Sequence, residues 1–322
     1  MKEFFKTIII FFLVCGIVFF GYNIYSFIKG GNDNLIKIVQ DSDNFNIVGS
    51  LVGNNVRLED SGVSGSKFDF SSTYNPYYGT LNSYEKNVYK QVYANVLENK
   101  EVFVPVEDIN VDQLVTILEA VLNDHPELFW LGNSFSYRYN SKNTVKQIIL
   151  TYNGTQYDKD TFYKKADEIL SLAKNYSTDY DKELFIHDYL VENVTYDEEA
   201  VNNQSAYSAL IGGKTVCAGY ARAFQYLMNR LGIPTYYVAG TSEGEDHAWN
   251  IVKLSDGYYN VDVTWDDELH NTHALFNKTD EEFNRSHQRG ELSNKIVKCT
   301  SSKYDFKNIS NKREEEFVYV YE

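Results

Sequence analysis

Gly212-Gly213-Lys214-Thr215-Val216-Cys217-Ala218-Gly219-Tyr220-Ala221 places a thiol where a glycine-rich loop gives way to a helix. The helix is expected from about Val216 to Leu231, closed by Gly232 with Pro234 beyond it. The first N–H groups of a helix have no intrahelical acceptor and its dipole is positive there, so a thiolate is favoured over a thiol. Those N–H groups are also suited to stabilise an oxyanion at an acyl carbon. Position alone leaves a second reading open, because a lone cysteine is commonly a small buried residue.

Strands are expected after this helix at Thr235–Val238, His247–Leu254 and Tyr258–Thr264, with Ser255-Asp256-Gly257 turning between the last two. Helix first and antiparallel strands after it is an α+β layout. His247 opens a strand 30 residues after Cys217. An imidazole near a thiol can take its proton and later protonate a leaving amine, although a histidine before a strand is more often structural. Asp262 follows 15 residues later, on the next strand. A carboxylate there can accept the second imidazole N–H and fix the tautomer. A two-residue turn at Ser255-Asp256 puts Asp262 on the same face as His247, one diagonal step away, whereas other turns displace it. Asp246 is the rival orienter, but adjacent strand residues point to opposite faces.

Taken together in this order, the elements resemble the bacterial core of the transglutaminase-like superfamily. They read Thr215-Val216-Cys217-Ala218-Gly219-Tyr220, Leu231-Gly232-Ile233-Pro234, His247-Ala248-Trp249-Asn250 and Val261-Asp262-Val263-Thr264-Trp265-Asp266-Asp267. Ile186-His187-Asp188-Tyr189 and Asn193-Val194-Thr195-Tyr196-Asp197 look like that family's lead-in helix, so the resemblance covers about residues 160–290. It implies a papain-like cysteine α+β core, with Cys217 as nucleophile, His247 as base and Asp262 as orienter. It also implies acyl transfer from protein or peptide amides through a thioester, ending in cross-linking, deamidation or proteolysis according to the acceptor. Some modules of this family have lost the cysteine and serve as binding parts, so a non-enzymatic surface module is the alternative. No cofactor and no metal are implied.

Upstream of this core, helical spacing over Asp158–Leu172 and Asp181–Glu192 leads into it. Residues 76–155 read as a small α+β region, with helices over Leu81–Leu97 and Val111–Leu122 and strands over Phe135–Tyr139 and Val145–Tyr152. Residues 30–75 are rich in Gly, Ser, Asn and Asp and read as a spacer with one or two weak strands, on short alternating runs such as Phe45-Asn46-Ile47-Val48. Residues 1–29 read as a membrane anchor. The 22 residues between Lys6 and Lys29 carry no charge, and at about 1.5 Å each they reach across a hydrocarbon core of about 30 Å. The apolar stretch runs into Gly21-Tyr22-Asn23-Ile24-Tyr25 rather than a small-residue cleavage site, which argues against a signal peptide. The expected arrangement is a single-pass anchor, with residues 156–322 as the transglutaminase-like domain on the extracytoplasmic side.

The net charge of −15 argues against a nucleic-acid partner, which calls for clustered Lys and Arg. Of three cysteines, Cys15 lies in the anchor, and Cys217 and Cys299 are expected to stay unbridged because the nucleophile reading needs a free thiol. His270, His273 and His287 lack metal-ligand spacing, and His187 sits on an amphipathic helix where packing is the expectation. Gln204 and Tyr207 precede Cys217 at a distance suited to an oxyanion-hole side chain, and Trp249 and Trp265 flank the proposed site.

Overall fold

The computed structural model describes residues 36–42, 45–52, 62–153, 159–269 and 273–311. The proposed anchor over residues 1–29 and Cys15 lie outside the described residues. Among the described residues no helix is long and apolar enough to cross a membrane.

The first half of the chain builds β1 (Ile36–Ser42), β2 (Phe45–Leu51), α1 (Pro76–Thr80), α2 (Ser83–Leu97), β3 (Val102–Phe103), α3 (Val111–Asp124), β4 (Leu131–Tyr139) and β5 (Val145–Tyr152). Its strands form one sheet in the order β1-β2-β4-β5-β3, with β2 parallel to β4 and the remaining pairs antiparallel. The segment expected as a spacer therefore contributes two strands of this sheet. Helix α2 starts at Ser83 rather than Leu81 because Asn82 caps it. The Asn82 Oδ1 accepts from Tyr84 N and Glu85 N (3.0 Å each), and the Glu85 carboxylate returns to Asn82 N (2.9 Å). Asn110 and Gln113 form the same reciprocal cap on α3.

The second half builds α4 (Lys159–Ala173), α5 (Asp179–Asn193), β6 (Thr195–Tyr196), β7 (Lys214–Thr215), α6 (Cys217–Arg230), β8 (Thr235–Ser242), β9 (Glu245–Leu254), β10 (Gly257–Val261), α7 (Val263–Glu268), α8 (Asp280–Phe283) and β11 (His287–Arg289). The strands β10-β9-β8-β11 make an antiparallel sheet, and β6 and β7 pair in parallel beside it. Helix α6 lies across β8 and β9 and touches α5 and α7 on its other side. It is therefore buried from Ala218 to Met228. Full burial of Phe224, Leu227 and Met228 stabilises the fold by about 1.5–3 kcal/mol for each side chain. Asn250 Nδ2 on β9 donates to Ala221 O (2.9 Å) and Tyr236 O (3.2 Å), tying the helix to both strands.

Boundaries beside the site also differ from the sequence expectation, for local reasons. Strand β8 runs on to Ser242 because Glu243 and Gly244 both take positive φ (51° and 90°) and fold β8 directly onto β9. A glutamate at a positive-φ position is not a turn signal that a sequence advertises. Strand β10 stops at Val261, and Asp262, expected within the strand, is instead the N-cap of α7. The turn at Ser255-Asp256 does span two residues, since Leu254 pairs with Gly257.

One hydrophobic core runs through both halves, from Ile47 and Tyr77 to Val261 and Leu292. Tyr77 Oη donates to Tyr237 O (2.7 Å), and Gln225 Nε2 donates to Asn123 O (2.9 Å), so the first half braces the back of β8 and α6.

Candidate active site

Gly213 enters the site with φ +63°, where a side chain would strain the backbone, and turns a short π-helical segment (Ser208–Gly212) into β7. Val216 then caps α6 without a side-chain acceptor, which leaves the N–H groups of Cys217 and Ala218 without a side-chain cap, while Gly219 N donates to Val216 O (2.9 Å). Gly219 lets the loop approach closely. A methyl there would overlap the Thr215 hydroxyl and stand 2.9 Å from Asn203 O. Asn203 O also accepts a hydrogen bond from Thr215 Oγ1. The loop carrying Asn203 and Gln204 is thereby pinned beside the start of α6.

Cys217 is half-buried and opens onto a cleft of about 570 Å³ whose walls include Tyr196, Glu198, Gln204, Asp246 and His247. His247 reaches this cleft from β9, and its Nε2–H donates to Asp262 Oδ2 at 2.6 Å. The Cys217 thiol lines the same cleft as this imidazole and favours its charged form. Since Nε2 faces the carboxylate, Nδ1 is the nitrogen left for sulfur. Burial alone would lower the proton affinity of His247. The charge and hydrogen bond of Asp262, aided by Cys217, outweigh that and raise its pKa to about 10.

Asp262 is fully buried, with four donors on its two oxygens. Thr264 N (3.0 Å) and Trp265 N (3.2 Å) donate to Oδ1, and His247 Nε2 and His287 Nε2 (3.0 Å) both donate to Oδ2. Burial would push this carboxyl up, but the His247 charge and the hydrogen bonds from both imidazoles hold it well below the usual carboxylate range. Of the three side chains singled out in the sequence, Cys217 and His247 line one cleft, and Asp262 is buried behind His247 and bonded to it. The fourth, His287, has no motif around it and arrives from β11, which pairs with β8 at the far edge of the sheet.

A second cluster lies behind the first. His187 on α5 is fully buried, with Nδ1 at 2.9 Å from Asp188 Oδ1 and Nε2 at 3.2 Å from Asp266 Oδ2. Both nitrogens face carboxylates, so both carry protons. Burial opposes that charge, yet the bonds to Asp188 and Asp266 raise the pKa to about 9. Asp188 also accepts from His273 Nε2 (2.7 Å), and burial, which would raise its pKa, is outweighed by the two imidazoles, which hold it at about 2. Asp266 Oδ1 accepts from Leu275 N (2.9 Å), so one network joins α5, α7 and the segment after His273.

Each of these groups, His187–Asp188–His273 and His247–Asp262–His287, brings its potential metal-ligand atoms within 4.8 Å of one another. In both, the imidazole nitrogens stand at hydrogen-bond distance from carboxylate oxygens, so protons already satisfy the arrangement. Gln204 lines the cleft, with its Oε1 accepting from Asn133 Nδ2 (3.1 Å). Tyr207 instead packs its ring against Phe129 and Phe162, away from the cleft. Trp249 is buried and, with Trp265, lies about one ring's width from His247 (centroids at 6.2 and 6.0 Å). Cys217 and Cys299 are both free thiols. Cys299 is wholly buried beside Arg289, and burial pushes its thiol far up.

The sequence profile of the transglutaminase-like superfamily matches residues 166–263. Among curated proteins none matches the chain. Similar solved structures include a TGase at 18% identity and TM-score 0.31, matching 51% of this chain and 50% of that one. A candidate cysteine protease from Cytophaga hutchinsonii is 20% identical with TM-score 0.28, over 51% of this chain and 58% of the other. The periplasmic domain of TgpA from Pseudomonas aeruginosa is 16% identical with TM-score 0.28, over 41% and 59%. The chain thus spans between half and three fifths of the length of these structures. The match to the transglutaminase-like superfamily, residues 166–263, spans Cys217, His247 and Asp262 on α6, β9 and the start of α7.

Proposed function

We propose that this protein is a cysteine-dependent acyltransferase acting on protein or peptide amides, with Cys217 as nucleophile, His247 as base and Asp262 as orienter on a papain-like core. The observation that carries the reading is the single imidazole of His247, held by Asp262 at 2.6 Å and lining the same cleft as the Cys217 thiol.

In the first half-reaction the Cys217 sulfur, its proton already held on His247 Nδ1, attacks the amide carbonyl carbon. The carbonyl oxygen takes the displaced electron pair and meets the uncapped N–H groups at the start of α6. When the tetrahedral species collapses, the C–N bond breaks, the leaving amine takes the proton from His247, and a thioester remains on Cys217. In the second half-reaction an amine or water gives its proton to His247 and attacks the thioester. The C–S bond then breaks, and the thiol is restored. An amine yields a cross-link, and water yields deamidation or peptide cleavage.

Incubation with a glutamine-containing peptide and a biotinylated primary amine should give a Cys217-linked acyl adduct in the peptide map. It should also give amine incorporation, ammonia release or a cleaved peptide. Absence of any adduct at Cys217 together with absence of all three products would overturn the reading, leaving the core as a binding module.

The uncharged span between Lys6 and Lys29 supports a membrane-retained protein with residues 30–322 outside the cytoplasm. Protease added to intact cells should then digest the domain. Full protection, or recovery of a soluble form that begins after residue 29, would count against that placement.

A further inference from the structure

We infer that His287 is a positioning residue of this site, holding the Asp262 carboxylate so that one of its oxygens stays aimed at His247. The inference rests on the acyl-transfer reading above and goes beyond the three residues assigned there.

His287 Nε2 lies 3.0 Å from Asp262 Oδ2, the same oxygen that receives His247 Nε2 at 2.6 Å. The other nitrogen, Nδ1, is 2.8 Å from Ser286 Oγ. Nε2 faces a carboxylate, which only accepts, so the ring donates its Nε2–H to Asp262 while Nδ1 bonds the serine hydroxyl. The ring is fully buried and walled by aromatics, with Phe283 at 4.1 Å, Trp265 at 5.0 Å and Trp249 at 5.1 Å between centroids. No water is needed to complete its hydrogen bonds.

The division of labour on Asp262 explains why a second imidazole is useful. Oδ1 is occupied by the two backbone N–H groups that begin α7. Without His287, Oδ2 would have His247 as its one hydrogen-bond partner, on a ring that retains some solvent exposure (8% of its side chain). Such a carboxylate can twist about its Cβ–Cγ bond and let the imidazole swing toward the cleft. A second N–H on Oδ2, delivered from the opposite edge of the sheet, fixes the carboxylate plane. Orientation of the base by a group that never touches substrate is a recurrent requirement of such sites.

The test compares His287→Gln and His287→Phe with wild type in the full chain, reading the rate of Cys217 alkylation by iodoacetamide and kcat for the amide reaction. The phenylalanine keeps an aromatic ring without a donor, whereas the glutamine amide N–H falls near the position of Nε2. The expected result is a loss on the order of tenfold or more in both rates for His287→Phe, with KM little changed. His287→Gln should recover most of that loss, which a purely structural role would not predict. Far-UV and near-UV circular dichroism identify a variant that fails to fold, in which case His287→Gln against His287→Leu replaces the comparison. Wild-type rates in folded His287→Phe, alongside a reactive wild-type Cys217, would overturn the positioning role and leave the acyl-transfer reading standing. A wild-type Cys217 that reacts no faster than the same cysteine in urea would remove both.

Discussion

Cys217→Ala is expected to reduce amide turnover to the assay background, and His247→Ala to lower kcat/KM by about a thousandfold or more. The two losses arise differently. The first removes the atom that forms the thioester. The second removes the group that accepts the thiol proton and returns it to the leaving amine, and it leaves the buried Asp262 charge facing a void. Asp262→Asn keeps an oxygen for the cap of α7, but presents an N–H to His247 Nε2. That reverses the imidazole tautomer and points a proton at sulfur, so turnover should fall by up to about ten-thousandfold. Alkylation of Cys217 should fall less in Asp262→Asn, because the start of α6 still faces the sulfur. Single-turnover kinetics with a peptide ester would separate these cases. Equal rates in wild type and His247→Ala would show that the imidazole takes no part.

The largest loss of stability is expected from His187→Ala. This side chain carries a buried positive charge between Asp188 and Asp266, and Asp266 has no solvent exposure of its own. Removing one partner of a buried ion pair costs about 3–5 kcal/mol, since the remaining charge is left without compensation. Urea denaturation at pH 6 should show a decrease of that size in the unfolding free energy. His187→Gln, which keeps one donor, should lose less.

The pH dependence supplies an independent check. The folded-state pKa of His187 is raised to about 9, above the ordinary value of about 6.5 that applies when the chain is unfolded. Its contribution is therefore fully present below about pH 6.5 and is lost as the pH rises through about 9. Asp188, held at about 2, contributes above the ordinary carboxylate pKa of about 4 and loses that contribution as the pH falls toward 2. The gap between wild type and His187→Ala should accordingly be widest near pH 6 and shrink toward pH 9. A gap that stays constant from pH 6 to 10 would show that His187 stabilises by packing alone.

Local chemistry made much of this legible in the sequence. The start and end of α6 follow from Cys217 after a glycine turn and from Gly232-Ile233-Pro234, and periodicity placed α2 to α5 to within a few residues. The two-residue turn at Ser255-Asp256 sets β10 in register with β9, and Asp262, one residue past the end of β10, meets His247 there. These are short-range properties. A cap, a turn or an alternation is encoded within a few residues of where it acts.

Tertiary structure alone decided the rest. His287 lies 25 residues beyond Asp262 without a motif, and His187 lies 79 residues before Asp266. Which histidine meets which carboxylate depends on how β11 pairs with β8 and how α5 packs beside α7, and neither is written in local spacing. The joining of β2 to β4 across more than eighty residues is of the same kind, because a parallel pairing has no turn to announce it. The sequence by itself determined the types of α2 to α6 and of β4, β5 and β8 to β10, the helix start that carries Cys217 and the order of nucleophile, base and carboxylate. Only the packed fold determined that two imidazoles share the Asp262 carboxylate and that a buried charge on His187 ties together the helices behind them, because burial and long-range pairing arise only once the whole chain has closed on one core.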